Sequence, residues 1–483
     1  MNLREELTDP IFRRIGMIAD SIGREVYVVG GYVRDILLGR PSVDIDFVTV
    51  GSGIELAEKV ALSLGRGAHL SVFATYGTAQ VKYHGLELEF VGARRESYQR
   101  DSRNPIVEDG TLDEDIARRD FTVNAMAVSL NEKSFGELVD RFDGLDDLRA
   151  GVLRTPLDSD ITFSDDPLRM MRAIRFASQL GFRIHQPTFE AIKRNAPRME
   201  IITKERINDE LGKIIRSPRP SVGFLLLDMA GILPMIMPEL VALKGVETKE
   251  GRGHKDNFRH TLQVLDNVAE KSDNEWLRWA ALLHDIGKPA TKRYDHALGW
   301  TFHNHNFIGE KMTGRLFRRM KLPLNEKKKY VEKLVGMHMR PQSVAENGVS
   351  DSGVRRMITD AGDDLEDLMI LAEADITSKN PEKVKRILSS FQALRERMVQ
   401  INEADNWRNW HNPISGYEIM DYFRIPGSPV LAQLKSAVKE AIFEGTIPNE
   451  HDAAWEYLLT IAPTLGLTPP PESCLPEAND AEL

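Results

Sequence analysis

Cysteine is almost missing from this 483-residue chain, whose one example, Cys474, stands in a proline-rich tail. Its rarity excludes intramolecular disulfides and thiolate zinc sites, and points to a reducing cytoplasm. Long apolar runs are also missing, and no stretch approaches the ~20 residues of a membrane span. The opening MNLREELTDP carries charges where a signal peptide needs an apolar core. Aromatic residues make up 7% and hydrophobic residues 42%, the mix of a globular protein whose length calls for several domains. Net positive charge is lacking too, at a formal −10. That does not exclude a nucleic-acid partner, because a basic stripe can sit beside acidic regions. Residues 160–220 carry 12 Lys and Arg against eight Asp and Glu, a local +4.

What is present changes character along the chain. Residues 1–22 place Leu3, Leu7, Ile11, Ile15 and Ile18 near one helical face. From 25 to about 130, short β-rich runs appear (VYVVG, DIDFVTV, HLSVFAT, TAQVKY, LELEFVG), predicting a small mixed α/β domain. From about 160 the pattern is helical, punctuated by Gly and Pro. GVETKEGRGHKDNF, at 245–258, reads as a linker or surface loop, and the Pro-rich composition after 466 predicts a disordered tail.

Within VYVVGGYVRDILLGRPSVDIDFV, side chains alternate along Val43–Val48, so Asp44 and Asp46 share one face and Ile45 and Phe47 the other. Two carboxylates this close repel unless a cation lies between them, and hard oxygen ligands suit Mg²⁺. An isolated D-x-D is more often two exposed aspartates on an edge strand. Gly30-Gly31, between a strand and a helix, lets a phosphate approach the backbone, and Arg34 adds a fork-shaped cation. A phosphate cradle beside a metal site suits nucleotidyl transfer.

These residues resemble the signature of class II CCA-adding tRNA nucleotidyltransferases and bacterial poly(A) polymerases, within the polymerase-β-like superfamily. The resemblance continues through RRDFTVNAMA (118–127), DGLDDLRAGVLRT (143–155), DPLRMMRAIRFASQLGF (166–182) and ERINDELGKII (205–215). It implies that Asp44 and Asp46 hold catalytic Mg²⁺, and that Gly30, Gly31 and Arg34 serve the triphosphate. Arg119 and Asp120 would contact nucleotide phosphate or ribose, with Asn124 supporting the turn. Glu89 is the candidate third carboxylate, a structural Glu being the alternative. In FSDDPLRMMRAIRFASQLGF, Ser164 or Asp165 is expected to cap a helix that Gly181 ends, with Arg169 and Arg172 on one face. An Asp and an Arg side by side can read the amine and acceptor shared by cytosine and adenine. CCA-adding members carry Glu-Asp-x-x-Arg here, whereas this chain has Asp165, Asp166 and Arg169, its first acid one methylene shorter.

Seven of 12 histidines fall between 254 and 338. HDIGKP resembles the HD superfamily of metal-dependent phosphohydrolases. His260, His284, Asp285 and Asp375 match its core ligands, and His305 and His338 match positions that bind a second metal in dinuclear members. That implies a divalent cation (Mg, Mn, Ni or Fe) and hydrolysis of a phosphoester such as a 2′,3′-cyclic phosphate; the alternative is a retained fold that positions tRNA.

The expected fold is α+β: a polymerase-β-like head with a mixed sheet over 1–155, an all-α neck over 156–245, an HD domain over 246–400, a helical tRNA-binding element over 401–465 and the tail over 466–483. The expected function is addition or repair of the tRNA 3′-terminal CCA from CTP and ATP, with neither a membrane nor DNA as partner. Poly(A) polymerase or A-only addition is the runner-up. An HD phosphohydrolase with an inactive head is the alternative of another class.

Overall fold

The structure, a computed structural model, describes residues 1–97, 106–250, 252–253, 256–346, 348, 350–378, 380–405, 407 and 410–468. Cys474 and residues 469–483 of the expected tail lie outside the described residues. The chain divides into two compact units, Met1–Arg278 with Leu316–Leu324, and Trp279–Arg315 with Asn325–Leu483.

The first unit holds a seven-stranded sheet. Its chain contributes β1 (Val26–Val29), β2 (Asp44–Thr49), β3 (Ala68–Phe73), β4 (Thr78–Tyr83) and β5 (Leu86–Gly92). After a separate ribbon of β6 (Arg94–Ser97) and β7 (Ile106–Asp109), β8 (Met126–Ser129) and β9 (Leu138–Asp140) complete it. The order is β3-β4-β5-β2-β1-β8-β9. Only β2 and β5 run parallel, so the sheet is mixed, as expected.

Alternation in β2 works as the sequence implies. Ile45 and Phe47 are buried, while Asp44 is exposed and Asp46 half-buried. Phe47 stacks on Phe90 of β5 with ring centroids 4.9 Å apart, and Phe12 from the Pro10–Ser21 helix closes the layer at 6.3 Å. Val48 shares the face of Asp46, yet is buried with Val29, Leu112 and Ile116 beneath the Leu112–Ala117 helix. The acidic face is therefore covered at its Val48 end and open at its Asp44–Asp46 end. Val43 lies outside the strand and is exposed.

The helix expected over 1–22 begins only at Pro10, where the Asp9 carboxylate accepts the Ile11 N–H at 2.8 Å. Leu3 and Leu7 are buried without being helical. Beyond the sheet, the first unit continues as helices that include Ser159–Asp165, Leu168–Leu180, Gln186–Asn195, Lys204–Ile215 and Pro220–Met229. The expected cap of the Leu168–Leu180 helix is corrected: Ser164 and Asp165 close the preceding helix, and Asp166 Oδ1 accepts the Leu168 N–H at 3.1 Å. Pro167 forbids one continuous helix, because it lacks an N–H and disfavours helical backbone at Asp166. Gly181 ends the helix at φ 74°, as expected.

The second unit is helical apart from a hairpin of Arg293–Asp295 with Gly299–Thr301. Its helices include Glu326–Met337, Leu365–Ala374, Pro381–Asp405, Gly416–Phe423 and Pro429–Glu444. Among the described residues, no helix is long and apolar enough to cross a membrane.

Replacing Phe47 by alanine removes the centre of the β2–β5 layer and should destabilise the head by about 3–5 kcal/mol. Urea unfolding would register this, and a loss below about 1 kcal/mol would contradict a close-packed stack.

Candidate active site

Strand register gathers the acids. Antiparallel pairing sets Val29 opposite Asp46, and parallel pairing sets Asp44 beside Glu87 and Asp46 beside Glu89. The carboxyl of Asp46 is raised above its ordinary range by burial, against the pull of Arg119, with Asp44 adding to the rise. Burial and the Asp46 charge raise Glu89 as well. Crowded, partly desolvated carboxylates of this kind favour a cation, and an all-oxygen donor set fits a hard one such as Mg²⁺. Gly30, at φ 73°, makes room for the group: a Cβ there would stand 3.0 Å from Arg119 Nη1 and 3.5 Å from Asp46 Oδ2.

Facing the acids are cations, each held by an acid of its own. Arg34 donates to Asp35 through Nε and Nη2, both at 2.9 Å, and to Asn124 Oδ1 through Nη1 at 2.8 Å. Asn124 in turn donates to Asp120 Oδ1 at 3.0 Å, and Arg172 Nε donates to Asp120 Oδ2 at 2.7 Å. Arg119 donates to Asp115 at 3.0 Å, and Arg175 lies 2.8 Å from Glu210. The guanidinium carbons of Arg34, Arg172 and Arg175 stand 5.0, 5.5 and 4.1 Å from the centre of the Phe176 ring. Burial lowers Arg175 to about 10, which leaves it charged at neutral pH.

Both walls line one cavity of about 630 Å³, within the range of small-molecule sites. It gathers Gly30, Gly31, Arg34, Asp44, Asp46, Glu89, Arg119, Asp120, Asn124 and Arg172 from the sequence expectations. Gln80, Glu87, Arg175, Phe176 and Lys213 also line it, and the sequence reading missed them. Arg175 had a signal, being three residues beyond Arg172 on one helix. Lys213 had none. Asp165, Asp166 and Arg169 are half-buried and are not among the lining residues. Arg169 still acts electrostatically on Asp120, and Asp166 on Arg172. Asp120 was expected to meet the nucleotide, yet both its oxygens accept protein hydrogen bonds, Oδ1 also taking the Phe121 N–H at 2.9 Å.

A second cluster lies in the second unit. His284 Nε2 is 3.3 Å from Asp285 and 3.6 Å from Asp375, while His305 Nε2 is 3.4 Å from Asp285 and 3.2 Å from His338 Nε2. Each ring places Nδ1 on a carbonyl three residues back: Ala281 at 2.7 Å, Phe302 at 2.8 Å and Val335 at 2.7 Å. Such anchoring puts the proton on Nδ1 and turns the Nε2 lone pairs inward, as metal-ligating histidines require. Asp285, His305 and His338 offer donor atoms within 4.8 Å of one another. Burial, with His284 beside it, lowers His338 to about 4, leaving a neutral imidazole fit to coordinate. His284 is raised to about 10 despite burial, because Asp285 and Asp375 draw positive charge to this spot. A divalent cation would meet that demand, so the residues fit one. His260 sits on the Asn257–Ala269 helix, in the other unit.

Arg172 beside Asp120, aided by the Asn124 amide, overcomes burial and holds this carboxyl down at about 2. Its stabilisation is therefore complete above the unfolded value near 4 and is lost as pH falls toward 2. Asp120→Asn should lower stability by roughly 2 kcal/mol at neutral pH, and the gap to wild type should close between about pH 4 and pH 2. Denaturant unfolding across that range checks it, and a pH-independent gap would contradict the buried charge.

Comparison with known proteins follows the same layout. The model of the "Poly A polymerase head domain" matches residues 26–154, the "Probable RNA and SrmB- binding site of polymerase A" matches 181–243, and the "HD domain" matches 257–380. An A-adding tRNA nucleotidyltransferase of Aquifex aeolicus is 43% identical over 195 residues, 40% of this chain but only 23% of that longer protein. A multifunctional CCA protein of Shewanella frigidimarina is 35% identical over 62% of this chain and 70% of its own length. A solved tRNA nucleotidyltransferase complexed with a primer tRNA and an incoming ATP analog is 26% identical, with a TM-score of 0.54 over 80% of this chain and 99% of that one. The A-adding enzyme of Deinococcus radiodurans is 30% identical over 88% of this chain and 93% of its own. The chain thus belongs to the tRNA nucleotidyltransferase and poly(A) polymerase family.

Proposed function

We propose that this chain adds or repairs the 3′-terminal CCA of tRNA, using CTP and ATP, the RNA 3′-hydroxyl displacing pyrophosphate from the nucleotide α-phosphate. The observation that carries the reading is a single cavity with carboxylates on one wall and guanidinium groups on the other. Asp44 and Asp46, with Glu89 as third ligand, would hold Mg²⁺, which when bound acidifies the attacking hydroxyl and offsets charge on the leaving pyrophosphate. Arg34, Arg119, Arg172 and Arg175 bind the triphosphate, Gly30 and Gly31 leave room for it, and Asp120 and Asn124 hold the arginines in place. Asp166 and Arg169 choose the base, with Asp165 behind them. The division of labour follows the expected segments: head 1–155, neck 156–245, HD region 246–400 and tRNA-binding helices 401–465, working in the cytoplasm.

A-only addition is the second reading, favoured by the names of the Aquifex and Deinococcus relatives. In the HD region, His284, Asp285 and Asp375 would hold a divalent cation (Mg, Mn, Ni or Fe), and His305 and His338 a second, for hydrolysis of an RNA phosphoester.

The test is a tRNA lacking its CCA, offered CTP alone, ATP alone, and both. C should be added first and A only after it; A without C would favour the A-adding reading. Asp46→Ala should abolish transfer and spare hydrolysis, Asp285→Ala should do the converse, and joint loss in either variant would contradict two separate centres. Arg169→Ala should raise incorporation of UTP and GTP relative to CTP and ATP by about tenfold or more, the scale of one lost bidentate base contact. Unchanged selectivity would remove Arg169 from base choice.

A further inference from the structure

The cavity has a direction, set by strand order. Arg34 follows β1, while Arg119, Asp120 and Asn124 lie just before β8, so these cation-wall residues stand toward the β1–β8 side of the sheet. Asp44 and Asp46 lie on β2 in the middle. Glu87 of β5 and Gln80 of β4 line the far side, whereas Arg172 bonds to Asp120 and shares the Phe176 ring with Arg175 and Arg34, which groups the lining arginines together. A triphosphate belongs with the arginines. Whatever meets Gln80 and Glu87 is therefore the other reactant, the RNA whose 3′-hydroxyl attacks.

Gln80 is oriented for such a contact. Pairing sets Gln80 opposite Glu89 and Lys82 opposite Glu87, so all four side chains share the face that carries Asp44 and Asp46. The Glu87 carboxylate accepts from Lys82 Nζ at 2.8 Å and from Gln80 Nε2 at 3.2 Å. A carboxylate held by a lysine can only accept, which fixes the amide with its nitrogen toward Glu87 and its oxygen away from it. Among the described residues, nothing donates to Gln80 Oε1. An amide with an acceptor and one N–H to spare suits a hydroxyl, which both donates and accepts. Beside an attacking 3′-hydroxyl, the nearest such group on the RNA is the 2′-hydroxyl of the same ribose. If successive nucleotides are added at one site, the base at the primer end changes at each step and the sugar does not.

We infer that Gln80, held in orientation by Glu87, reads the 2′-hydroxyl of the primer's terminal ribose and so confines the transferase to RNA ends. This rests on the transferase reading above and names how that site recognises its acceptor. A 2′-hydroxyl is what lets a protein tell RNA from DNA at one position.

The test uses the full chain and two tRNA primers that differ only in the last nucleotide, ribose in one and 2′-deoxyribose with its 3′-hydroxyl intact in the other. Wild type should favour the ribose primer roughly tenfold in kcat/KM, the scale of one well-placed hydrogen bond. Gln80→Ala should bring that ratio near one by losing on the ribose primer, and Glu87→Gln, which frees the amide to turn, should lower it too. Comparison of CTP with dCTP separates the two sugars, and that ratio should not move in Gln80→Ala. An unchanged primer ratio in both variants would overturn the inference. So would a change in the CTP/dCTP ratio alone, which would assign Gln80 to the incoming sugar. Wild type that extends neither primer would overturn the transferase reading, and this inference with it.

Discussion

The ion pair between Asp120 and Arg172 is the constraint on which the rest of the site depends. It joins the segment before β8 to the Leu168–Leu180 helix, and through Asn124 it reaches Arg34 behind β1. Three stretches far apart in sequence are thereby fixed around one buried carboxylate whose oxygens are both satisfied. A buried pair of this kind adds little net stability over an apolar substitute, yet losing one partner is costly. What it supplies is position: guanidinium groups held in fixed places on one wall of the cavity.

The pairing extends round the cavity. Arg34 has Asp35, Arg119 has Asp115, and Arg175 has Glu210. Each cation can be drawn partly out of solvent because an acid beside it offsets its charge. This explains how a chain of formal charge −10 can line one cavity wall with guanidinium groups. Many of its acids are spent on holding arginines, and the potential that matters is local.

Much of this was legible in the text, and the limits have physical causes. β2 could be read because alternation is local: Asp44 and Asp46 must share a face wherever the strand packs. The HD histidines could be read from their residue types and order. Gln80 and Glu87 could not, because their place depends on which strands become neighbours, and β2 and β5 pair in parallel although the Gly53–Leu64 helix and two strands lie between them in sequence. Lys213 is invisible for the same reason, lying in an ordinary amphipathic helix until the neck is folded. Asp120 was legible as important, whereas its hydrogen bonds to Phe121, Asn124 and Arg172 depend on the folded head and neck and were not. Asp166 was read as a base contact; its carboxylate also starts the following helix, a role that Pro167 imposes locally.

The strand order of the head also bears on how the protein is made. Asp44 and Asp46 leave the ribosome well before Arg119 and the helix of Arg172 and Arg175, and domains tend to fold as they emerge. For that interval Arg34 is the one member of the opposing wall already made, and the acids outnumber the cations around them. The cation wall of the cavity is complete only once the helix of Arg172 and Arg175 has packed against the head, so the electrostatic balance of the site is set late in synthesis.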